Sequence, residues 1–467
     1  MSKIDEAINE ENQQKIISDL CDMIKCRTVS NSDDNLVDWN EFEKFRTLLK
    51  ERFPTIYSVA EFQKIGKSGI VHKISSGKAD STSDKNHANV LMAHYDVVPV
   101  EEKNWDFPPF AGDIENNFIR GRGTLDTKST LCACMEAVEL KLKSGWKPKK
   151  DLYLCFSGEE EINGESCSKI VDYFEEKNIQ IDFVLDEGGA IVSNPFPGVT
   201  QRCAMIGTAE KGSTYMDVVI EGHAGHASAP PKRTAVGIAS MVASEIENHS
   251  QTAQFTKSVK NLLKTMGKSS QNGAIRFLFS NLFITKPLVK LLSKIIGGEL
   301  NALLHTTCAL TMLEGSQSYN VLPSHAKIGL NLRLLGNDTV EKAKARIERY
   351  ASKAVKKAGK IGKKTKVSVN VVSYGNPSAE SDTNCLQWDN LCNVIHQTWP
   401  DILISEYMMM ACSDSRHYCR ITDKVYRFSG MYLSKEERGM IHGINEKISC
   451  QTMIETVYFY MNLVETL

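Results

Sequence analysis

Ser157–Gly158–Glu159–Glu160–Glu161–Ile162–Asn163–Gly164 is the stretch on which the reading of this chain turns. It leaves the apolar run Leu152–Tyr153–Leu154–Cys155–Phe156, which has the length and composition of a buried strand. Three adjacent carboxylates at the end of a buried strand repel one another and gain nothing structurally. They are tolerable where cations or a shared proton sit among them. Alone, such a run is more often a solvated loop. The balance shifts because other strands end in matching groups.

Upstream, the apolar residues 89–93 predict a strand that delivers His94–Tyr95–Asp96. Side chains two apart on an extended chain share a face, so Asp96 can hold the His94 imidazole in one tautomer, as the outer partner of a metal-bound His does. The stretch Arg120–Gly121–Arg122–Gly123–Thr124–Leu125–Asp126–Thr127–Lys128 follows. Its glycines allow close backbone approach, and Asp126 precedes a helix over 129–143, where an Asp also serves as an N-cap. Downstream, a helix over 165–177 and a strand over 181–185 lead to Asp186–Glu187–Gly188–Gly189. Strand–helix alternation predicts an α/β fold with a central sheet flanked by helices, and ligands in such folds gather at the carboxyl ends of strands.

From about Cys203 the texture changes. Strands over 214–220, 307–313, 327–334 and 366–372 with helices over 234–248 and 340–356 predict an inserted α+β module. An insertion of its own, at about 251–305, interrupts it. The expected organisation is one domain made of two parts, 1–206 and 373–467, with a second domain (207–372) inserted between them. That last part reads as a helix over 385–398, a loop over 411–419, a strand over 424–428 and a closing helix over 450–464.

Length and composition fit this picture. A chain of 467 residues holds two or three domains, and 24% charged residues with a net charge of -1 describe a soluble globular protein. There is no basic excess for nucleic acid, and no apolar stretch long enough to span a bilayer. The first residues are polar, and the 13 cysteines are scattered without metal-type pairing. A reducing cytoplasm is the expected location.

His94, Asp126, Glu160, Glu161, Asp186 or Glu187, and His442 together form a mixed N/O donor set. A set of this size with one carboxylate at its centre suits two divalent ions, zinc foremost. Two ions ~3.5–4 Å apart can share a hydroxide and clamp both oxygens of a hydrolytic transition state. A surplus carboxylate is then needed to accept the proton of the attacking water.

These motifs resemble the M20 family of metallopeptidases over nearly the whole chain. Met92–Ala93–His94–Tyr95–Asp96–Val97–Val98–Pro99 is similar to the family's first motif, and the Gly121–Lys128 stretch to its second. Glu159–Glu160–Glu161 stands where the family has Asp–Glu–Glu, and Met440–Ile441–His442–Gly443 resembles the last motif. The resemblance implies a zinc-peptidase-like catalytic domain with a lid. It makes His94, Glu161 and His442 metal ligands, Asp126 the bridge between two ions, Asp96 the residue that orients His94, and Glu160 the general base. It also implies a cis Asp126–Thr127 peptide. Asp186 and Glu187 both stay candidates for the remaining ligand.

Within the family, the resemblance is to carboxypeptidase S and the N-fatty-acyl-amino-acid hydrolases. It rests on the Gly225–His226–Ala227–Ser228–Ala229–Pro230–Pro231, Asn320–Val321–Leu322–Pro323 and Ser413–Asp414–Ser415–Arg416–His417 stretches. It implies that Arg416 grips a substrate α-carboxylate with Asn320, and that His226 on the lid bonds the oxyanion. The expected activity is metal-dependent, aminoacylase-like hydrolysis of N-acyl amino acids or of the C-terminal bond of short peptides. A metal-bridging hydroxide would attack. A dipeptidase is the alternative within the family, and an inactive binding protein the alternative outside catalysis. Partners reduce to a small-molecule substrate, with a homodimer through the lid left open. In the insertion, Lys286–Pro287 reads as a helix start, with Leu288, Leu291, Leu292, Ile295 and Ile296 opposite Lys286, Lys290 and Lys294. That surface is expected to pack onto the lid, or else to line an acyl groove with Phe279 and Phe283.

Overall fold

The structure is a computed structural model that describes residues 3–76, 86–249, 253–359 and 365–467. Its frame is set by three parallel strands. His87–His94 lies between Asp151–Ser157 and Gln180–Asp186, and all three are almost wholly buried. Strands buried on both faces read as continuous apolar runs, which is why these three are plain in the sequence. Their carboxyl ends point one way and carry His94, the Glu run and Asp186–Glu187.

Among the described residues, ten strands join this mixed sheet. On one side it continues through Gly69–Ile74 to the edge strand Glu61–Ile65. On the other it runs through Val425–Arg427 to Cys203–Glu210, which pairs with Leu403–Met409 and Ile191–Val192. The helices Glu10–Ile24, Lys128–Lys143 and Cys450–Val464 cover one face through Leu20, Leu131, Met135, Val457 and their neighbours. Helix Ser166–Glu176 covers the other through Ile170, Val171 and Phe174. Residues 411–419, expected as a loop, instead contain a 3₁₀ helix, Asp414–Arg420, that packs Tyr418 into this second core.

The chain leaves the large sheet at Glu210 and enters a four-stranded antiparallel sheet at Gly212. Its order is Thr307–Glu314, His325–Leu334, Gly212–Glu221, Val367–Ser373. Helices Ala235–Glu247 and Val340–Lys357 cover one face, and strand Gly212–Glu221 alternates buried and open positions accordingly.

The insertion departs from expectation. Its lower bound, 251, lies outside the described residues. Its helices are Lys257–Ser269, Gly273–Ser280, Leu282–Ile296 and Gly298–Leu304. They do not pack on the lid's core. Leu262, Leu263, Met266, Phe279 and Val289 cluster with Val199 and with Cys203, Ala209 and Met408 of the paired strands Cys203–Glu210 and Leu403–Met409 of the large sheet. Pro287 does not start a helix; it lies inside Leu282–Ile296, where Thr285 Oγ1 donates to the Asn281 carbonyl. Phe279 is buried edge-on to Phe196 and lines an apolar cavity under the helix, whereas Phe283 is 80% exposed. Thr285, Val289 and Ser293 form the buried face, so the helix turns small and polar residues inward. Periodicity alone gave the opposite sense because it measures contrast, not which side meets protein.

Candidate active site

His94 ends its strand with 1% of its surface exposed. Its Nδ1 lies 3.0 Å from the Asp96 carbonyl oxygen and 3.3 Å from the Asp96 carboxylate. An Nδ1–H donated there leaves the Nε2 lone pair for a metal. Nε2 faces Asp126 Oδ1 at 3.0 Å. The other oxygen of Asp126 lies 3.0 Å from His442 Nε2, which is also 3.0 Å from Glu161 Oε2. The Asp126 carboxylate therefore stands between two imidazoles, one to each oxygen. The donor atoms of His94, Asp126 and Glu161 all lie within 4.8 Å of one another. That is a metal-binding His/Asp/Glu group, and its central two-sided carboxylate fits a pair of ions.

Local structure fixes each member. Asp96, fully buried, accepts the Glu160 amide at 3.1 Å on one oxygen and the Glu161 amide at 3.2 Å on the other. It holds the Glu run as well as His94. Glu159 faces away and accepts from Ser68 Oγ at 2.8 Å and from Ser166 Oγ. Of the three carboxylates, one is thus structural and two remain for chemistry. His442 adopts a left-handed φ of 58°, in a turn closed by Gly443 N–H donating to the Met440 carbonyl at 2.8 Å. The Asp126–Thr127 peptide is cis.

Glu446, three residues past Gly443, has a role that the sequence does not signal. Its Oε1 accepts from the amides of Gly123 at 3.0 Å and Leu125 at 2.7 Å, and its Oε2 from Arg122 Nη1 at 2.6 Å. Arg122 also donates to the Gly443 carbonyl at 2.6 Å. This buried pair ties the turn bearing Asp126 to the turn bearing His442. Gly123, at φ 95°, makes the bend.

The charges show what the site lacks. Burial pushes the Glu160 carboxyl well up, and Asp414, Glu187 and Glu161 add to it. Burial raises Glu161 and Glu187 as well, with Asp186 next in effect on Glu187. Burial would lower the His94 imidazole, but Asp126 and Asp96 hold it well above its ordinary range. Hydrogen bonds to Asp126 and Glu161 push His442 up to about 10. Several buried carboxyls share two imidazoles, a deficit of positive charge that divalent ions would fill.

Asp186 and Glu187 separate. Asp186 accepts the Ser415 amide at 3.2 Å, whereas Glu187 feels Asp126 and His94. Arg416, on the 3₁₀ helix, donates from Nη1 to the Ser413 carbonyl at 3.2 Å and from Nη2 to Asn163 Oδ1 at 3.1 Å. It lines a cavity of about 390 Å³ with Tyr215, Tyr374 and His417. His226 and Asn320 sit together on a small lid ribbon, both exposed. His226 Nδ1 accepts from the Ser228 amide at 3.1 Å. Among the described residues, neither side chain is hydrogen-bonded to the cluster.

A cavity of about 250 Å³ includes in its lining Gly188 and Ile441, the chain neighbours of Glu187 and His442. Phe196, Met205, Leu262, Leu303 and Met410 line it. A second apolar cavity of about 460 Å³ shares Pro195, Phe196, Glu299 and Leu300 with it and runs under helix Leu282–Ile296.

Residues 90–466 match the profile of peptidase family M20/M25/M40. The N-fatty-acyl-amino acid synthase/hydrolase PM20D1 of Xenopus tropicalis is 28% identical over 460 residues, 98% of this chain and 86% of that protein. A probable carboxypeptidase S-like protein of Dictyostelium discoideum is 30% identical, over 91% of this chain and 79% of its own length. The M20 metallo-carboxypeptidase Sso-CP2 of Sulfolobus solfataricus has a similar fold, with a TM-score of 0.67 at 19% identity, covering 97% of this chain and 99% of that one.

Proposed function

This chain belongs to peptidase family M20/M25/M40 and is an amidohydrolase of it; from that premise we propose that it cleaves N-acyl amino acids in preference to short peptides. The observation that carries the acyl reading is the mainly apolar cavity lined by Gly188 and Ile441, the chain neighbours of Glu187 and His442. A dipeptide would place its α-ammonium in a lining of Phe196, Leu262 and Met410 that also sets Arg438 against its one carboxylate, Glu299, a poor setting for a second cation. The relative named for fatty-acyl amino acids supports the same choice.

His94, Asp126, Glu161, His442 and Glu187 would hold two divalent ions, with zinc the best fit to this N/O set. Bound there, the ions supply the Lewis acidity that activates water and polarises the scissile carbonyl. Glu160 accepts the proton of the attacking water and returns it to the leaving nitrogen. Asp186 stays with Ser415 as a brace. Arg416 turns its planar fork to the substrate α-carboxylate, with Asn320 joining it, and His226 donates to the developing oxyanion when the lid closes. A reducing, cytoplasmic setting suits the thirteen free thiols.

An acyl-length series on one amino acid tests the reading. Each methylene entering the cavity contributes ~0.8 kcal/mol, so kcat/KM should rise about fourfold per carbon until the space is filled. Turnover of dipeptides above every acyl substrate would replace this reading with the dipeptidase one.

A further inference from the structure

The insertion has a surface that its packing does not explain. On helix Leu282–Ile296, Ile284, Leu288, Leu291 and Ile295 recur at i, i+4, i+7 and i+11, and are 62%, 50%, 54% and 71% exposed. They form one stripe that no other described element covers. Phe283 at 80% and Phe277 at 61%, on the preceding helix, extend the apolar surface. Isolated exposed apolar side chains need no explanation, but a contiguous stripe on a helix that could have turned it inward does. Beside it run Lys286, Lys290 and Lys294 at four-residue spacing, and Lys260, Lys264 and Lys268 form a second exposed row on helix Lys257–Ser269. Across 253–305, seven lysines and one arginine stand against a single glutamate, Glu299. The segment is thus net +7 in a chain of net -1.

We propose that this face docks on an anionic lipid surface. An exposed apolar stripe flanked by lysines is what an interfacial helix presents: the apolar residues enter the headgroup–acyl boundary and the lysines meet lipid phosphates and carboxylates. A protein partner could cover the stripe, but the concentration of one charge in the segment favours a surface that is anionic throughout. Position supports the same occupant. The ≈460 Å³ apolar cavity lies under the same helix, lined by Val289, Leu292 and Ile296, and shares wall residues with the ≈250 Å³ cavity that Gly188 and Ile441 line. A lipid-soluble acyl chain would then have an apolar path from bilayer to reaction centre. That last clause rests on the N-acyl reading; the docking itself does not.

The test is co-sedimentation of the metal-loaded full chain with vesicles of phosphatidylcholine alone and with 30% phosphatidylserine. Binding is expected only with the anionic vesicles and should weaken at high salt. The variant I284S/L288S/L291S/I295S should lose binding at least tenfold. K286Q/K290Q/K294Q should lose it on the order of 100-fold, at about fivefold per lysine near the surface. Both variants should keep their melting temperature and their turnover of an N-acetyl amino acid, since none of these residues touches the cluster. Should the fourfold variant not fold, L288S and the lysine variant carry the test. The proposal is overturned if the parent protein ignores anionic vesicles at 0.1 M salt or if the variants bind as well as the parent. It is equally overturned if the stripe instead supports a dimer in solution that the serine variant dissolves. Failure of the acyl-length series with vesicle binding intact would sink the substrate reading alone.

Discussion

Replacing Glu446 should show how strongly one buried carboxylate organises the centre without touching substrate. Glu446 and Arg122 are 0% and 2% exposed. In Glu446→Ala, the Arg122 guanidinium loses its partner at 2.6 Å and the Gly123 and Leu125 amides lose their acceptor. Stranding a buried charge costs ~3–5 kcal/mol, and each unsatisfied amide adds ~1 kcal/mol or more where water cannot enter. Allowing for partial hydration, a loss of ~4 kcal/mol is expected. At an unfolding entropy of about 1 kcal/mol/K for a chain of this size, that lowers Tm by about 4 °C. Metal affinity should fall ~10–100-fold, because the Asp126 and His442 turns are no longer tied. The double variant Arg122→Met/Glu446→Leu removes both charges and should recover most of the stability but not the metal affinity. Calorimetry and metal titration read the two effects separately. Glu446→Ala with unchanged Tm and unchanged metal affinity would refute the reasoning.

Glu160→Gln should abolish turnover and leave metal content intact; loss of the bound metal would make Glu160 a ligand instead. Arg416→Lys should raise KM at least tenfold for free-acid substrates with a smaller change in kcat, because an ammonium cannot reproduce a two-pronged contact. Equal handling of free acids and their carboxamides by the parent enzyme would give Arg416 another job. His72 is fully buried, packed against Tyr57 and Phe62, and neither ring nitrogen has a hydrogen-bond partner among the described residues. Burial lowers its pKa from 6.5 to about 4. The folded state then binds fewer protons than the unfolded one. Its contribution is therefore present above pH 6.5 and lost as pH falls towards 4, by ~3 kcal/mol. His72→Phe should flatten the acid limb of the stability profile in urea melts at pH 4 to 7; an unchanged limb would mean that other groups set it.

The central strands were legible because full burial writes itself as uninterrupted apolar runs, and His94, Glu160–Glu161 and Asp186–Glu187 stand directly after three of them. Asp126 and His442 were legible only through motif resemblance, since a turn residue before a helix and a His in a polar loop have bland uses. The double duty of Asp96 could not be read, because its contacts to the Glu160 and Glu161 amides join residues more than sixty positions apart. Glu446 was hidden for the same reason. The insertion misled for a different one. The amphipathic pattern of residues 282–296 is real, but sequence contrast does not say which face meets protein, and here Thr285, Val289 and Ser293 do. Edge strands such as Glu61–Ile65 and Leu403–Met409 alternate weakly and gave no signal.

The proposed chemistry requires two metal ions in this centre before an N-acyl amino acid is hydrolysed. The most direct test strips the protein with a chelator and titrates zinc back while free amino acid release from an N-acyl amino acid is followed. The account predicts no release from the stripped protein and a return of activity that breaks at two ions per chain. Full turnover without metal, or saturation at one ion, would contradict it.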